Sequence, residues 1–343
     1  MKKQSKLLAL LLACAMTLAL SACGGNSATT STPAGSAAPA ASGSAASADK
    51  TYTVGICQLV QHNALDAATQ GFKDALTEKL GDKVKFVEQN AAGDSATCAT
   101  ICNQFVSSNV DLIMANATPA LQAATAATNS IPILGTSVTD YGTALSIADW
   151  KGTTGTNVTG TADLAPLDKQ AEMIKTLFPD AKNVGILYCS AEPNSKYQST
   201  EITKYLTDAG YTCKEYTFAD SNDVAAVTKT ACDESDVLYV PTDNTAASCA
   251  ESINNIAEPA KVPIVAGESG ICTGCGVATL SIDYYDLGVV TGNMAYEVLV
   301  NGADPATTEI QFAPKTTYQY MADRCEKLGV KVPSDYVAIE VEK

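Results

Sequence analysis

The sequence predicts an α/β protein of two lobes, each built on a parallel sheet, and three observations point there. One βα unit occurs twice, both copies end their strands in polar turns, and Gly, Ala, Val and Thr are plentiful where aromatics make up 6%. The first copy is 110–137, VDLIMANATPALQAATAATNSIPILGTS. Its apolar run with a charged start suits a buried parallel strand. Thr118-Pro119 reads as a hydroxyl N-cap followed by Pro at the first helical position, and a strand at 131–134 opens onto Gly135-Thr136-Ser137. The second copy, 235–269, pairs Asp236 with Asp111, Asp243-Asn244 with Thr118-Pro119, and Val262-Pro263-Ile264 with Ile131-Pro132-Ile133. A weaker pair precedes them, YTVGICQ at 52–58 and KNVGILY at 182–188. Ligands bind at the carboxyl edge of a parallel sheet, so the two lobes are expected to face each other across a cleft. The first copy offers hydroxyls and a helix N-terminus, which suit an anion; the second offers Asp243 and Glu268, which suit a cation. A free amino acid carries both charges.

The elements follow in order. Residues 1–22 read as a signal peptide: Lys2, Lys3 and Lys6 precede an apolar core at 7–20 that is too short for a comfortable membrane span. Leu20-Ser21-Ala22-Cys23 directly after it matches the bacterial lipobox, so Cys23 is expected to carry the lipid and anchor the chain to the membrane, extracytoplasmic face outward. The alternative is an ordinary cleaved signal. Residues 24–50 are Ser, Ala, Gly, Thr and Pro with almost no bulky apolar residue, a flexible tether. The first lobe then reads as a strand at 52–60, a helix at 65–80, a strand at 83–89, a helix at 94–106 capped by Asp94 or Ser95, and the first copy of the repeat. Asn63 is a plausible N-cap for the first helix, and residues 150–161 read as a Gly/Thr-rich passage to the second lobe.

The second lobe reads as a helix at 166–178, strand 183–188, helix 194–208, strand 211–218, helix 222–233, the second copy, and strand 277–282. A helix at 283–300, stopped by Asn301-Gly302, is expected to return to the first lobe. Residues 310–343 hold another crossing, a short helix near 318–328 and a terminal strand. The expected division is 51–161 with 284–312 as one lobe and 162–283 with 313–343 as the other.

The formal net charge of -15 argues against nucleic-acid binding, which needs Lys and Arg, and against electrostatic adhesion to anionic lipid. There is one histidine, His62, so a zinc site would depend almost wholly on cysteines, and no metal or cofactor is expected. Most of the cysteines fall inside strands and helices and read as buried free thiols. Cys272-Thr273-Gly274-Cys275 stands apart in a Gly-rich loop, with a local disulfide, two inert thiols, or redox or metal work all open. No Ser-His-Asp order, GxSxG or phosphate loop is present, so an enzyme is not expected.

Six motifs together resemble a family of ABC-importer substrate-binding proteins. They are Gln61-His62-Asn63-Ala64-Leu65-Asp66 with Gly71-Phe72, Ala117-Thr118-Pro119-Ala120, Ser137-Val138-Thr139-Asp140, Asn157-Val158-Thr159-Gly160, Pro241-Thr242-Asp243-Asn244 and Asp283-Tyr284-Tyr285-Asp286-Leu287-Gly288. The resemblance runs in order from 52 to 332. It implies the type I periplasmic-binding fold, two doubly wound parallel sheets joined by a three-crossing hinge. It also implies an aromatic amino-acid ligand (tryptophan, tyrosine or phenylalanine), ABC permease and ATPase subunits as partners, and a monomer. Two departures stand out: Tyr141 follows Asp140 where the family usually has Pro, and the loop with Cys272 and Cys275 is unusual.

On this reading the Thr118 hydroxyl, the N–H groups at that helix start and Thr136 or Ser137 hold the α-carboxylate. Asp243 with its neighbour Asn244, and Glu268, hold the ammonium. His62, Tyr188 and Tyr197 line the side-chain pocket. Each residue also has a plainer role. Thr118 and Asp243 are helix caps, Glu268 faces water, His62 bonds within its loop, Asp283 is a cap or hinge residue, and Trp150 packs in the core. The rival functions are a binding protein for a sugar, nucleoside or other solute on the same fold, and a surface adhesin or sensor.

Overall fold

The structure is a computed structural model that describes residues 50–340. The expected signal peptide, the lipidated Cys23 and the tether up to residue 49 lie outside the described residues. The first strands are β1 (Tyr52–Gln58), β2 (Val84–Asn90), β3 (Leu112–Asn116), β4 (Ile133–Val138) and β5 (Val158–Ala162). They alternate with helices α1 (Asn63–Leu80), α2 (Ser95–Ser107), α3 (Thr118–Ala127) and α4 (Tyr141–Leu145). The chain then runs through α5 (Leu167–Leu177), β6 (Asn183–Cys189), α6 (Pro193–Asp208), β7 (Thr212–Phe218), α7 (Val224–Glu234) and β8 (Val237–Val240). Next come α8 (Asn244–Ser248), α9 (Ala250–Ala260), β9 (Ile264–Ala266), α10 (Ser269–Cys275) and β10 (Ala278–Ile282). Last are α11 (Tyr284–Asn301), β11 (Gln311–Phe312), β12 (Thr316–Tyr320), α12 (Ala322–Leu328) and β13 (Val337–Ala338).

These strands form two sheets, ordered β11-β5-β4-β3-β1-β2 and β13-β12-β10-β9-β8-β6-β7. The first is parallel throughout, and in the second only β12 runs antiparallel to its neighbour β10. β3 is buried along its whole length, as a central strand covered on both faces must be. Each sheet reverses its order once, between β1 and β3 and between β6 and β8. Those reversals open crevices at the carboxyl ends of the strands.

The chain passes between the sheets after β5, after β10 and after β11. Helix α11 returns to the first sheet and packs on α1. A Cβ on Gly71 would lie 2.1 Å from the Tyr285 carbonyl oxygen, and one on Gly288 would lie 2.1 Å from that of Ala68. Only glycine allows these two backbones to touch. Among the described residues, no helix is long and apolar enough to cross a membrane.

Several local expectations are corrected. Thr118 is the first helical residue and not the N-cap of α3; that position belongs to Ala117, at φ 90°. His62, and not Asn63, occupies the cap position of α1. β4 continues through Gly135-Thr136-Ser137 to Val138, with a register shift between Gly135 and Val138. The passage at 150–161 contains β5, and its glycines and threonines disguised a strand. The Gly-rich segment around Cys272 and Cys275 is helix α10, capped by Glu268, and both sulfurs are buried free thiols. Residues 316–320 are strand, so the short helix begins at Ala322.

Candidate functional site

The carboxyl ends of the two sheets meet. His62, at the end of the β1 loop, places Nε2 3.3 Å from Asn244 Oδ1 on the opposite lobe. Gln198 Nε2 on α6 lies 3.4 Å from Thr139 Oγ1, just beyond β4. These bonds hold the cleft shut. Cavities of about 370 and 250 Å3 flank the His62–Asn244 contact.

The first lobe contributes a helix N-terminus and unusual backbone. Ala117 and Ser137, at the ends of adjacent strands, have φ of 90° and 54°. Side chains with a Cβ rarely adopt such angles, and they persist where the surroundings impose them. The bulge in β4 re-aims Ser137, whose Oγ is buried without a hydrogen-bond partner. Thr118 is buried at the start of α3. Thr136 lies apart from them: its hydroxyl bonds Thr161 at 3.2 Å and Thr291 at 3.1 Å on the α11 side of the sheet.

Four buried carboxylates converge from the second lobe and the hinge. Asp243 caps α8: Oδ1 accepts from the Ala246 N–H at 2.7 Å and Oδ2 from the Cys189 N–H at 2.7 Å. Glu192 binds the same helix start. Its Oε1 accepts from the N–H and hydroxyl of Thr245, both at 2.8 Å, and its Oε2 from the N–H and Nδ2 of Asn244 at 3.0 and 2.6 Å. Burial first, then Glu192, pushes the Asp243 carboxyl up. Glu268 is 2% exposed, so it does not face water, and it accepts from the Gly270 and Ile271 N–H groups. Asp163 sits in the crossing after β5. It accepts from the Tyr284 hydroxyl at 2.9 Å and the Thr139 hydroxyl at 3.2 Å.

Burial raises Asp163 to about 6 and Glu268 to about 7, and the negative charge of Asp163 also raises Glu268. Among the described residues, the ion pairs of this chain involve other acids, so these carboxylates meet no lysine or arginine. Asp163 and Glu192 were not among the expected site residues. A carboxylate directly after a sheet strand was the available signal for Asp163, and one in the short loop between β6 and α6 was the signal for Glu192. No three His, Cys, Asp or Glu side chains among the described residues are grouped to hold a metal ion.

The expected aromatic lining separates into three places. His62 lies in the cleft, half-buried, and burial lowers its pKa below the ordinary imidazole range. Tyr197 is half-buried on α6 near Asp140 of the first lobe, at the rim. Tyr188 is 2% exposed and packs in the core of the second lobe with Ile174, Ile186 and Ile202, with the Lys196 ammonium 5.9 Å from its ring centre. It does not join the cleft residues. Trp150 stacks on Tyr141 at 6.0 Å in the first-lobe core.

The model of a family described as ABC transporter substrate binding protein matches residues 53–341. A tyrosine-binding protein of Clostridioides difficile is 40% identical over 265 residues, covering 76% of both chains. A domain from Streptococcus pneumonia in complex with L-Trp is similar at 34% identity and TM-score 0.79, over 83% of this chain and 97% of that one. The ligand-free, open structure of a substrate binding protein with adhesive properties from Clostridium difficile is 36% identical, with TM-score 0.65 over 85% of this chain and 100% of that one. The two-lobed α/β architecture is the type I periplasmic-binding fold.

Proposed function

The chain belongs to the ABC transporter substrate-binding protein family, a non-enzymatic component of transport, and from that premise we propose that it captures a free aromatic amino acid between its lobes and hands it to an importer permease. The observation that carries this reading is the pair Asp163 and Glu268, two buried carboxylates that pair with no cation among the described residues. Burying like charges together is costly unless something compensates them. A ligand ammonium does so, while the α3 N-terminus and the unpartnered Ser137 hydroxyl suit its carboxylate. The ammonium reading therefore rests on Asp163 and Glu268, with Asp243 as the cap of α8.

The relatives named for tyrosine and solved with L-Trp support an aromatic ligand. The remainder of the proposal is a lipid anchor at Cys23, a tether over 24–50, lobes of 51–161 with 284–312 and 162–283 with 313–343, and docking of the closed form on the permease.

Thermal melting against tyrosine, tryptophan, phenylalanine, leucine, ribose and a nucleoside tests it. Binding to the native state adds about 2.7 kcal/mol at a hundredfold excess over Kd. A rise confined to the aromatic amino acids is expected. A rise with ribose or the nucleoside alone would overturn the reading.

A further inference from the structure

We propose that His62, held by Asn244 across the cleft, selects a ligand ring that carries a hydrogen-bond donor (the phenol of tyrosine or the indole of tryptophan) over a bare phenyl ring. The inference rests on the amino-acid reading above and adds what that reading leaves open.

The argument begins at Glu192. It accepts from both the Nδ2 and the backbone N–H of Asn244, at 2.6 and 3.0 Å. A carboxylate only accepts, so the amide is oriented with Nδ2 toward Glu192 and Oδ1 toward His62. Oδ1 carries no proton. The atom facing it, His62 Nε2 at 3.3 Å, must therefore be the N–H donor. In a neutral imidazole the other nitrogen is then a bare acceptor. Burial disfavours the charged form and outweighs the opposing effects of the Asn244 hydrogen bond and of the Glu192 and Asp66 charges, so the neutral ring is favoured. Nδ1 is buried and has no hydrogen-bond partner. The fold thus holds an acceptor in the closed cleft to which no group among the described residues donates.

Strand order places this acceptor at the ring end of a bound amino acid. Asp163 follows β5 and His62 follows β1, with β4 and β3 between them. Three strand steps at ~4.8 Å span roughly 14 Å. The α3 N-terminus and Ser137 lie between, where the carboxylate is expected. An amino acid with its ammonium at Asp163 and its carboxylate at Ser137 therefore sends its side chain toward His62. Because His62 and Asn244 belong to opposite lobes, the tautomer is fixed only when the cleft closes.

Titration calorimetry of the purified protein with tyrosine, tryptophan, phenylalanine and 4-fluorophenylalanine tests the inference. The fluoro ring keeps an electronegative atom at the same position but cannot donate. Tyrosine and tryptophan are expected to bind about ten- to a hundredfold more tightly than the other two, the effect of one buried polar group left unpaired. His62→Phe is expected to bring the ratio of tyrosine to phenylalanine close to one. If that variant does not fold, the ligand series on the unaltered protein decides alone. Phenylalanine or 4-fluorophenylalanine binding as tightly as tyrosine would overturn the inference and leave the amino-acid reading intact. So would a tyrosine preference that survives His62→Phe undiminished. Failure of all four ligands to bind would overturn the amino-acid reading and the inference with it.

Discussion

The Tyr284 hydroxyl donates to Asp163 Oδ2 at 2.9 Å and joins two of the three interlobe crossings. Asp163 lies just after β5 and Tyr284 begins α11, directly after β10. The hinge and the charged end of the site are therefore one structure. Tyr284→Phe leaves Asp163 buried and removes one of the two hydroxyls that donate to it, keeping that of Thr139. This is expected to cost about 1–3 kcal/mol of stability in urea unfolding and to weaken amino-acid binding, because the carboxylate becomes harder to ionise. Unchanged stability and affinity would contradict it.

The two carboxylates predict a dependence on pH. Asp163 at about 6 and Glu268 at about 7 lie above their unfolded values of ~3.9 and ~4.3. The folded state thus keeps protons that the unfolded state has lost. Stability from these groups is fully present below about pH 4 and is lost as pH rises through 6 to 7. A ligand ammonium needs both groups ionised, so binding releases protons and tightens over the same rise. Melting curves from about pH 5 to 8 should show the ligand-free protein losing stability while the ligand-induced shift grows. A ligand-induced shift that shrinks would contradict this.

Asp243 and Asp163 are expected to separate under mutation. Asp243→Ala removes the acceptor of the Ala246 and Cys189 N–H groups. It should cost about 1–2 kcal/mol or more in chemical unfolding while the folded fraction still binds ligand. Asp163→Asn keeps the shape and removes a buried charge, so it should preserve or raise the melting temperature and abolish the ligand-induced shift. The reverse pattern would return the ammonium to Asp243.

Much of the fold was legible because its signals are local. The duplicated unit, the Asp94 and Asp283 caps and the helix ending at Gly302 depend on neighbouring residues, and the structure contains them. Elements defined by distant partners were harder to read. The glycines and threonines before Ala162 form a strand only because β4 and β11 flank them. Ala117 takes the cap position of α3 at φ 90°, a backbone state that no propensity of Ala announces. Asp163 is one carboxylate in a Thr-Ala-Asp-Leu stretch until folding brings Tyr284 and Glu268 beside it. Tyr188 was expected to line the pocket as an aromatic side chain, but strand alternation turns it into the core of the second lobe.

The contact between α1 and α11 leaves no room for a methyl group. Gly288→Ala would place Cβ 2.1 Å from the Ala68 carbonyl oxygen. The helices must part, at a cost of about 1–3 kcal/mol or more. Urea unfolding should register the loss. An unchanged midpoint would mean that α11 is free to shift on α1.

The central claim is that the closed cleft recognises both charges of a free amino acid. Calorimetric titration with L-tyrosine, with tyramine, which lacks the carboxylate, and with 3-(4-hydroxyphenyl)propionate, which lacks the ammonium, tests it most directly. The account predicts tight binding of tyrosine and loss of about a hundredfold or more for each analogue, since each leaves buried charge or polar groups uncompensated. Binding of the propionate as tightly as tyrosine would show that Asp163 and Glu268 do not hold an ammonium and would contradict the account.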